Sequence, residues 1–134
     1  PIQQVLAARQ AHPPFRLVAI PEVESESLIE AEVARGFDLA SDDPIRTTLI
    51  ELAPQDHRLL LVLHHAAADG ASIAPLLSDL AQAYAARQAG RAPQFTPLDV
   101  SYTDFALWQR ARLNEAAEAE HLAYWRAKLA ALPD

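Results

Sequence analysis

The chain has 134 residues, 51% of them apolar and 22% charged, with 10 Pro and only 3 Gly, a balance that supports one hydrophobic core and excludes a disordered or collagen-like chain. Its 18 acidic and 11 basic side chains leave a formal charge of -7, the wrong sign for a partner made of phosphate backbone, so no nucleic acid is expected. The absence of Cys excludes disulfides, thiolate nucleophiles and thiolate metal sites, and with neither a membrane-length apolar run nor a basic-then-apolar leader the expected setting is cytoplasmic, with no membrane partner.

The first residues, Pro1 to Leu6, enter an apolar pattern with no polar lead-in and read as cut from a longer polypeptide. Between Pro14 and Pro21, Phe15, Leu17 and Ala19 alternate with Arg16, Val18 and Ile20, the period of a strand. An acidic stretch follows: Glu22, Glu24, Glu26, Glu30 and Glu32. Ser27 and Glu30 have capping-box spacing, which predicts a helix over Leu28 to Arg35 that ends near Gly36. Residues 38–44 read as a loop delivering Ile45 into a strand.

Ile45 to Leu52 and Arg58 to Leu63 are two β-rich runs separated by Ala-Pro-Gln-Asp-His, predicting an antiparallel hairpin with a longer loop. Leu59 to Leu63 shows no polar alternation, as expected of an interior strand covered on both faces. From Ser72, the residues Ile73, Leu76, Leu77, Leu80 and Tyr84 fall at helical spacing, with Pro75 expected in the first turn and Gly90 closing a helix of about 18 residues. Residues 91–100 form a Pro-containing connector. Ser101 and Asp104 then cap a shorter helix carrying Phe105, Trp108 and Leu113, and a last helix, Glu115 to Ala131, presents Leu122, Trp125 and Leu129 and stops before Pro133. The aromatic residues of these two helices read first as packing or interface residues.

The segment that could carry chemistry is His64-His65-Ala66-Ala67-Ala68-Asp69-Gly70, between the apolar strand and the long helix. Strand ends are where polar side chains emerge from a packed core into a crevice. Neighbouring strand residues point to opposite faces, so only one of the two histidines is expected to be reactive. A metal site is the weaker reading: adjacent histidines splay apart, the helical zinc spacing is absent, and His12, His57 and His121 lack surrounding ligands. In the purely structural reading one histidine is packed while Asp69 caps the next helix. If the hairpin pairs antiparallel, Arg46 lies near the strand end that carries the histidines, and an Arg46 to Asp69 ion pair is expected to hold the loop. Asp69 is then an organiser rather than a base.

These residues resemble the His-His-x-x-x-Asp-Gly core motif of nonribosomal peptide synthetase condensation domains, in the chloramphenicol acetyltransferase-like superfamily. The resemblance continues, in order, through Phe37-Asp38-Leu39 with Pro44-Ile45-Arg46, Gly90-Arg91-Ala92-Pro93, Tyr102-x-Asp104-Phe105-Ala106-x-Trp108-Gln109, and Tyr124-Trp125 through Leu129. It covers nearly the whole chain. It implies an α/β, two-layer αβ sandwich, a partial N-terminal lobe over residues 1–134 without its first strand and helix and without the C-terminal lobe. It further implies that His65 faces a tunnel where two carrier-bound thioesters meet, either as general base toward the acceptor amine or as the group that orients the amine and stabilises the tetrahedral intermediate. General acid–base catalysis of this kind contributes roughly 100- to 10,000-fold.

By the same resemblance His64 is the packed neighbour, Asp69 the partner of Arg46, and Gly70 a position where a side chain would crowd the tunnel or distort the strand-to-helix turn. The family's aromatic after the glycine is replaced by Ala71, which leaves substrate shape and subtype open. No cofactor is expected to be bound directly. The implied partners are upstream and downstream peptidyl carrier domains, which supply 4'-phosphopantetheine, and the missing C-terminal lobe. The isolated chain is expected to be inactive or nearly so. Competing readings are a carrier- or coenzyme A-dependent O-acyltransferase, an epimerisation domain, and a noncatalytic interaction lobe.

Overall fold

The computed structural model describes residues 5–7 and 10–132, so most of the Pro1 to Leu6 pattern lies outside the described residues, while the last helix ends at Leu129, before Pro133 as expected. The chain divides into two units, Pro1–Arg91 and Ala92–Asp134.

The first unit is an α/β layer pair built on a mixed three-stranded sheet. Its elements are β1 (Phe15–Ala19), α1 (Glu22–Ala34), β2 (Ile45–Ala53), β3 (Asp56–Leu63) and α2 (Gly70–Gln88). Sheet order is β1-β2-β3, with β1 parallel to β2 and β2 antiparallel to β3. A parallel pair needs a crossover, and α1 is that crossover. Period-2 alternation puts Arg46, Thr48 and Ile50 on one face of β2, and these are its buried residues, Ile50 completely so. The register adds Arg16 and Val18 of β1 and Arg58, Leu60 and Val62 of β3 to that face.

Helix α1 is tied to this face by side chains. Arg16 pairs with Glu32 at 3.0 Å, and Arg58 reaches Glu22 at 2.8 Å and the hydroxyl of Ser25 at 2.9 Å. Ser25 is fully buried and donates in turn to the Glu22 carbonyl at 2.7 Å. The opposite face of the sheet is apolar and open: Phe15, Leu17 and Leu59 are exposed.

Four features differ from the sequence expectations. Helix α1 begins at Glu22 rather than Leu28. Pro21, with φ -60° and ψ 147°, stands at its N-cap, and Glu22 and Glu24 lie in the first turn against the positive end of the helix dipole, so Ser27 and Glu30 are interior residues. The hairpin loop is short. The strands run to Ala53 and Asp56, with an irregularity between Glu51 and Ala53 that absorbs the extra residue. Strand β3 is the edge strand of the described sheet rather than an interior one; its residues are half-buried or exposed because α1 covers only one face. Helix α2 begins two residues before Ser72 and is 19 residues long, so Pro75 falls beyond the first turn, where it cannot donate to the Ala71 carbonyl.

The end of α2 matches its expectation. Gly90 has φ +69°, its N–H donates to the Arg87 carbonyl at 3.0 Å, and the Arg91 N–H donates to the Ala86 carbonyl at 2.9 Å, a Schellman closure.

The second unit holds α3 (Tyr102–Arg112) and α4 (Glu115–Leu129). Ser101 and Asp104 form the expected capping box, and Asn114 caps α4 by accepting from the Ala117 N–H. Tyr102, Phe105 and Trp108 form a run of neighbouring rings at 6.0 and 5.7 Å, with every one of the three exposed. No helix among the described residues is long and apolar enough to cross a membrane.

Candidate active site

The two histidines occupy different environments, although His65 lies in a turn rather than at an alternating strand position. Strand β3 ends at Leu63, after which the His64 N–H donates to the Pro44 carbonyl at 2.9 Å and continues the pairing by one residue. A turn follows at once: the Ala67 N–H donates to the His64 carbonyl at 2.9 Å. The His64 ring is half-buried, edge-on to Phe37 at 5.7 Å with an interplanar angle of 88°. Its Nδ1 accepts from the Ala66 N–H at 3.0 Å. His65, in the turn, is exposed. One imidazole is fixed in the protein and the next stands open to solvent.

Asp69 is the N-cap of α2. Its Oδ1 accepts from the Ser72 N–H at 3.1 Å and from the Ser72 hydroxyl at 2.8 Å, while the Asp69 N–H donates to the Ser72 hydroxyl oxygen at 3.0 Å. The hydrogen bond from the Ser72 hydroxyl, and then that from its backbone, hold the Asp69 carboxyl below the ordinary carboxylate range.

The expected Arg46 to Asp69 ion pair does not form. Arg46 is 7% exposed on the α1-facing side of β2, opposite Val62. Its Nη1 donates to the Gly36 carbonyl at 3.0 Å, and its Nη2 to the carbonyls of Glu32, at 3.2 Å, and Arg35. The guanidinium carbon lies 3.8 Å from the centre of the Phe37 ring. Carbonyls left unpaired at a helix C-terminus carry partial negative charge, so the end of α1 supplies the anionic counterpart that a carboxylate was expected to provide. Arg46 remains an organiser, through α1 and Phe37 rather than through Asp69.

Gly70 is the first residue of α2. A Cβ built there meets no atom within 4 Å, and its φ is not positive. Within this chain a side chain at Gly70 therefore neither distorts the turn nor crowds a neighbour. The residue the sequence reading passed over is Phe37, noted only as part of a Phe-Asp-Leu segment; it stands between Arg46 and His64 and joins α1's end to the motif. Among the described residues no cluster of three or more His, Asp or Glu side chains is arranged to hold a metal.

The condensation-domain family matches residues 1–134. The isonitrile lipopeptide synthase of Mycobacterium tuberculosis (strain H37Rv) is 43% identical over 142 residues, covering 100% of this chain and 6% of the relative. The dimodular nonribosomal peptide synthase of Bacillus subtilis (strain 168) is 39% identical over 137 residues, 98% of this chain and 6% of the relative. Among solved structures, the complex of the X-domain and OxyB from teicoplanin biosynthesis aligns with a TM-score of 0.78 at 34% identity, covering 89% of this chain and 27% of that one. A condensation domain described for chain release from the enacyloxin polyketide synthase aligns with a TM-score of 0.61 at 29% identity, covering 90% of this chain and 24% of that one. The chain thus spans a small part of the relatives it matches, and its mixed sheet with flanking helices is the α/β fold of a chloramphenicol acetyltransferase-like N-terminal lobe. With all 134 residues matched by the family and the two histidines separated into a packed ring and an exposed one, the chain belongs to the condensation-domain family.

Proposed function

We propose that residues 1–134 are part of the N-terminal lobe of an amide-forming condensation domain and that His65 acts on the acceptor amine. The observation that carries this reading is the exposed His65 ring at the end of β3, beside a His64 ring that is committed to the fold. Donor and acceptor are aminoacyl or peptidyl groups held as thioesters on 4'-phosphopantetheine arms of upstream and downstream carrier domains. The amine nitrogen attacks the donor carbonyl carbon, a C–N bond forms, and the C–S bond breaks. The amine proton passes to the His65 imidazole and from there to the departing thiolate, so the ring ends as it began. An alternative division of labour has His65 orienting the amine and stabilising the charged tetrahedral intermediate.

This lobe supplies one wall of the reaction site and the remainder of the domain the other. Misplacement of reacting groups by about 1 Å costs roughly 100-fold, so these 134 residues alone are expected to be inactive or nearly so. A second reading, a lobe that binds a partner rather than performing chemistry, is favoured by the likeness to the teicoplanin X-domain, solved in complex with OxyB. The test is reconstitution of the intact parent synthetase with both carriers loaded, offered acceptors that end in an amine or in a hydroxyl. Amide product, lost in His65→Ala, supports condensation. Ester product from the hydroxyl acceptor alone marks an O-acyltransferase, α-carbon inversion without transfer marks an epimerisation domain, and product formation indifferent to His65→Ala marks the partner-binding reading.

A further inference from the structure

We propose that His64 is a positioning residue whose Nδ1, as a hydrogen-bond acceptor, shapes the turn that presents His65. The proposal rests on the reading of His65 given above and adds the part played by its neighbour. Residues 64–67 form a four-residue turn with His65 and Ala66 at its centre. Its closing bond runs from the Ala67 N–H to the His64 carbonyl at 2.9 Å, and its interior N–H, that of Ala66, donates to the His64 ring at 3.0 Å. Both hydrogen bonds of the turn therefore end on one residue. The second has the form of an Asx turn, in which a side chain accepts from the backbone N–H two residues on, with imidazole Nδ1 in place of an amide or carboxylate oxygen.

A ring nitrogen accepts only when it carries no proton, so this contact fixes the ring proton on Nε2. The ring is held against Phe37, and Phe37 lies under the Arg46 guanidinium, whose three hydrogen bonds to the end of α1 anchor the assembly to the sheet. Without the Nδ1 acceptor the Ala66 N–H loses its partner and the turn keeps one of its two bonds. The backbone that aims His65 is then free to sample other dihedrals.

Two substitutions of similar size and polarity separate this role from simple packing. In His64→Asn the amide oxygen is bonded to Cγ, as Nδ1 is, and can accept from the Ala66 N–H. In His64→Gln the oxygen lies one atom farther out and cannot take that place. Both are compared with native protein in the intact parent synthetase, by amide hydrogen exchange of the segment 64–68 and by product formation with both carriers loaded. The expected result is native-like exchange and kcat within about threefold for His64→Asn, against faster exchange and kcat reduced by about tenfold or more, with KM unchanged, for His64→Gln. Equal behaviour of the two variants in exchange and kcat overturns the proposal, whether both resemble native protein or both are impaired. If the exchange pattern separates Asn from Gln while His65→Ala leaves product formation intact, the turn assignment stands and the catalytic reading of His65 falls.

Discussion

Arg46 offers the sharpest test of how the motif is supported, because sequence and structure assign it different partners. Arg46→Met keeps most of the aliphatic length and removes the guanidinium. Three charge-assisted hydrogen bonds to the carbonyls of Glu32, Arg35 and Gly36 are lost, together with the contact to Phe37. Hydrogen bonds from a charged donor contribute about 1.5 to 3 kcal/mol each, but these do not simply add. Removing the group also removes the cost of burying a charge whose Nε has no partner among the described residues. Arg35 and Gly36 are exposed, so water can reach part of what is left behind. The net loss expected from these opposing effects is about 3 kcal/mol. Arg46→Lys retains a point charge able to serve one or two of the carbonyls and should lose about half as much. The assay is urea unfolding of the complete condensation domain followed by circular dichroism. A loss below about 1 kcal/mol for Arg46→Met would refute the anchoring role. Combined with Asp69→Ala, the effect of Arg46→Met should be additive; measurable coupling would restore the ion pair that the structure replaces.

Two further outcomes follow from the start of α2. The Asp69 carboxyl lies below its ordinary value of 3.8, and so does that of Asp104, where the Ser101 hydroxyl is the main cause. A folded value below the unfolded one stabilises the fold above the ordinary value, and that stabilisation disappears as pH falls through the lowered one. Acid titration followed by circular dichroism should therefore show a flatter helix-loss limb in the double variant Asp69→Asn and Asp104→Asn, which keeps an acceptor at each cap but takes up no proton; an unchanged limb would contradict the capping account. Gly70→Ala should stabilise the domain by about 0.4 to 1 kcal/mol in thermal or urea unfolding, since its backbone is ordinary and its surroundings are open. Destabilisation would show a constraint at Gly70 that the chain's own residues do not explain, and stability combined with lost turnover would place that constraint in the thioester path.

The sequence made local features legible and left tertiary ones ambiguous. Strand β1 between two prolines, the Gly90 closure and the Ser101 to Asp104 capping box are set by residues within a few positions of one another, and all stand where their pattern put them. The start of α1 was obscured because Ser27 and Glu30 mimic a cap, whereas Ser25 is drawn inward by Arg58, which is 33 positions away in the chain. The all-apolar run of β3 promised cover on both faces, but apolar composition does not say which neighbouring element provides it. In the site, strand alternation predicted one packed and one exposed histidine, and the structure reaches that division by a turn that begins at His64 rather than by continued strand. The partner of Arg46 did not, because sequence shows carboxylates as candidate counter-charges and does not show backbone carbonyls gathered at the end of a helix. Phe37 was visible as a residue and silent as a link, since its meaning lies in the two groups it touches.

The central claim is that the exposed imidazole of His65 performs the chemistry while its surroundings hold it in place. The most direct measurement is single-turnover amide formation by the intact parent synthetase, with both carriers loaded, comparing native protein with His65→Ala. Carrier loading and thermal stability should be unchanged while the rate of amide formation falls by roughly 100- to 10,000-fold. A rate within about threefold of native, at equal loading, would contradict the account.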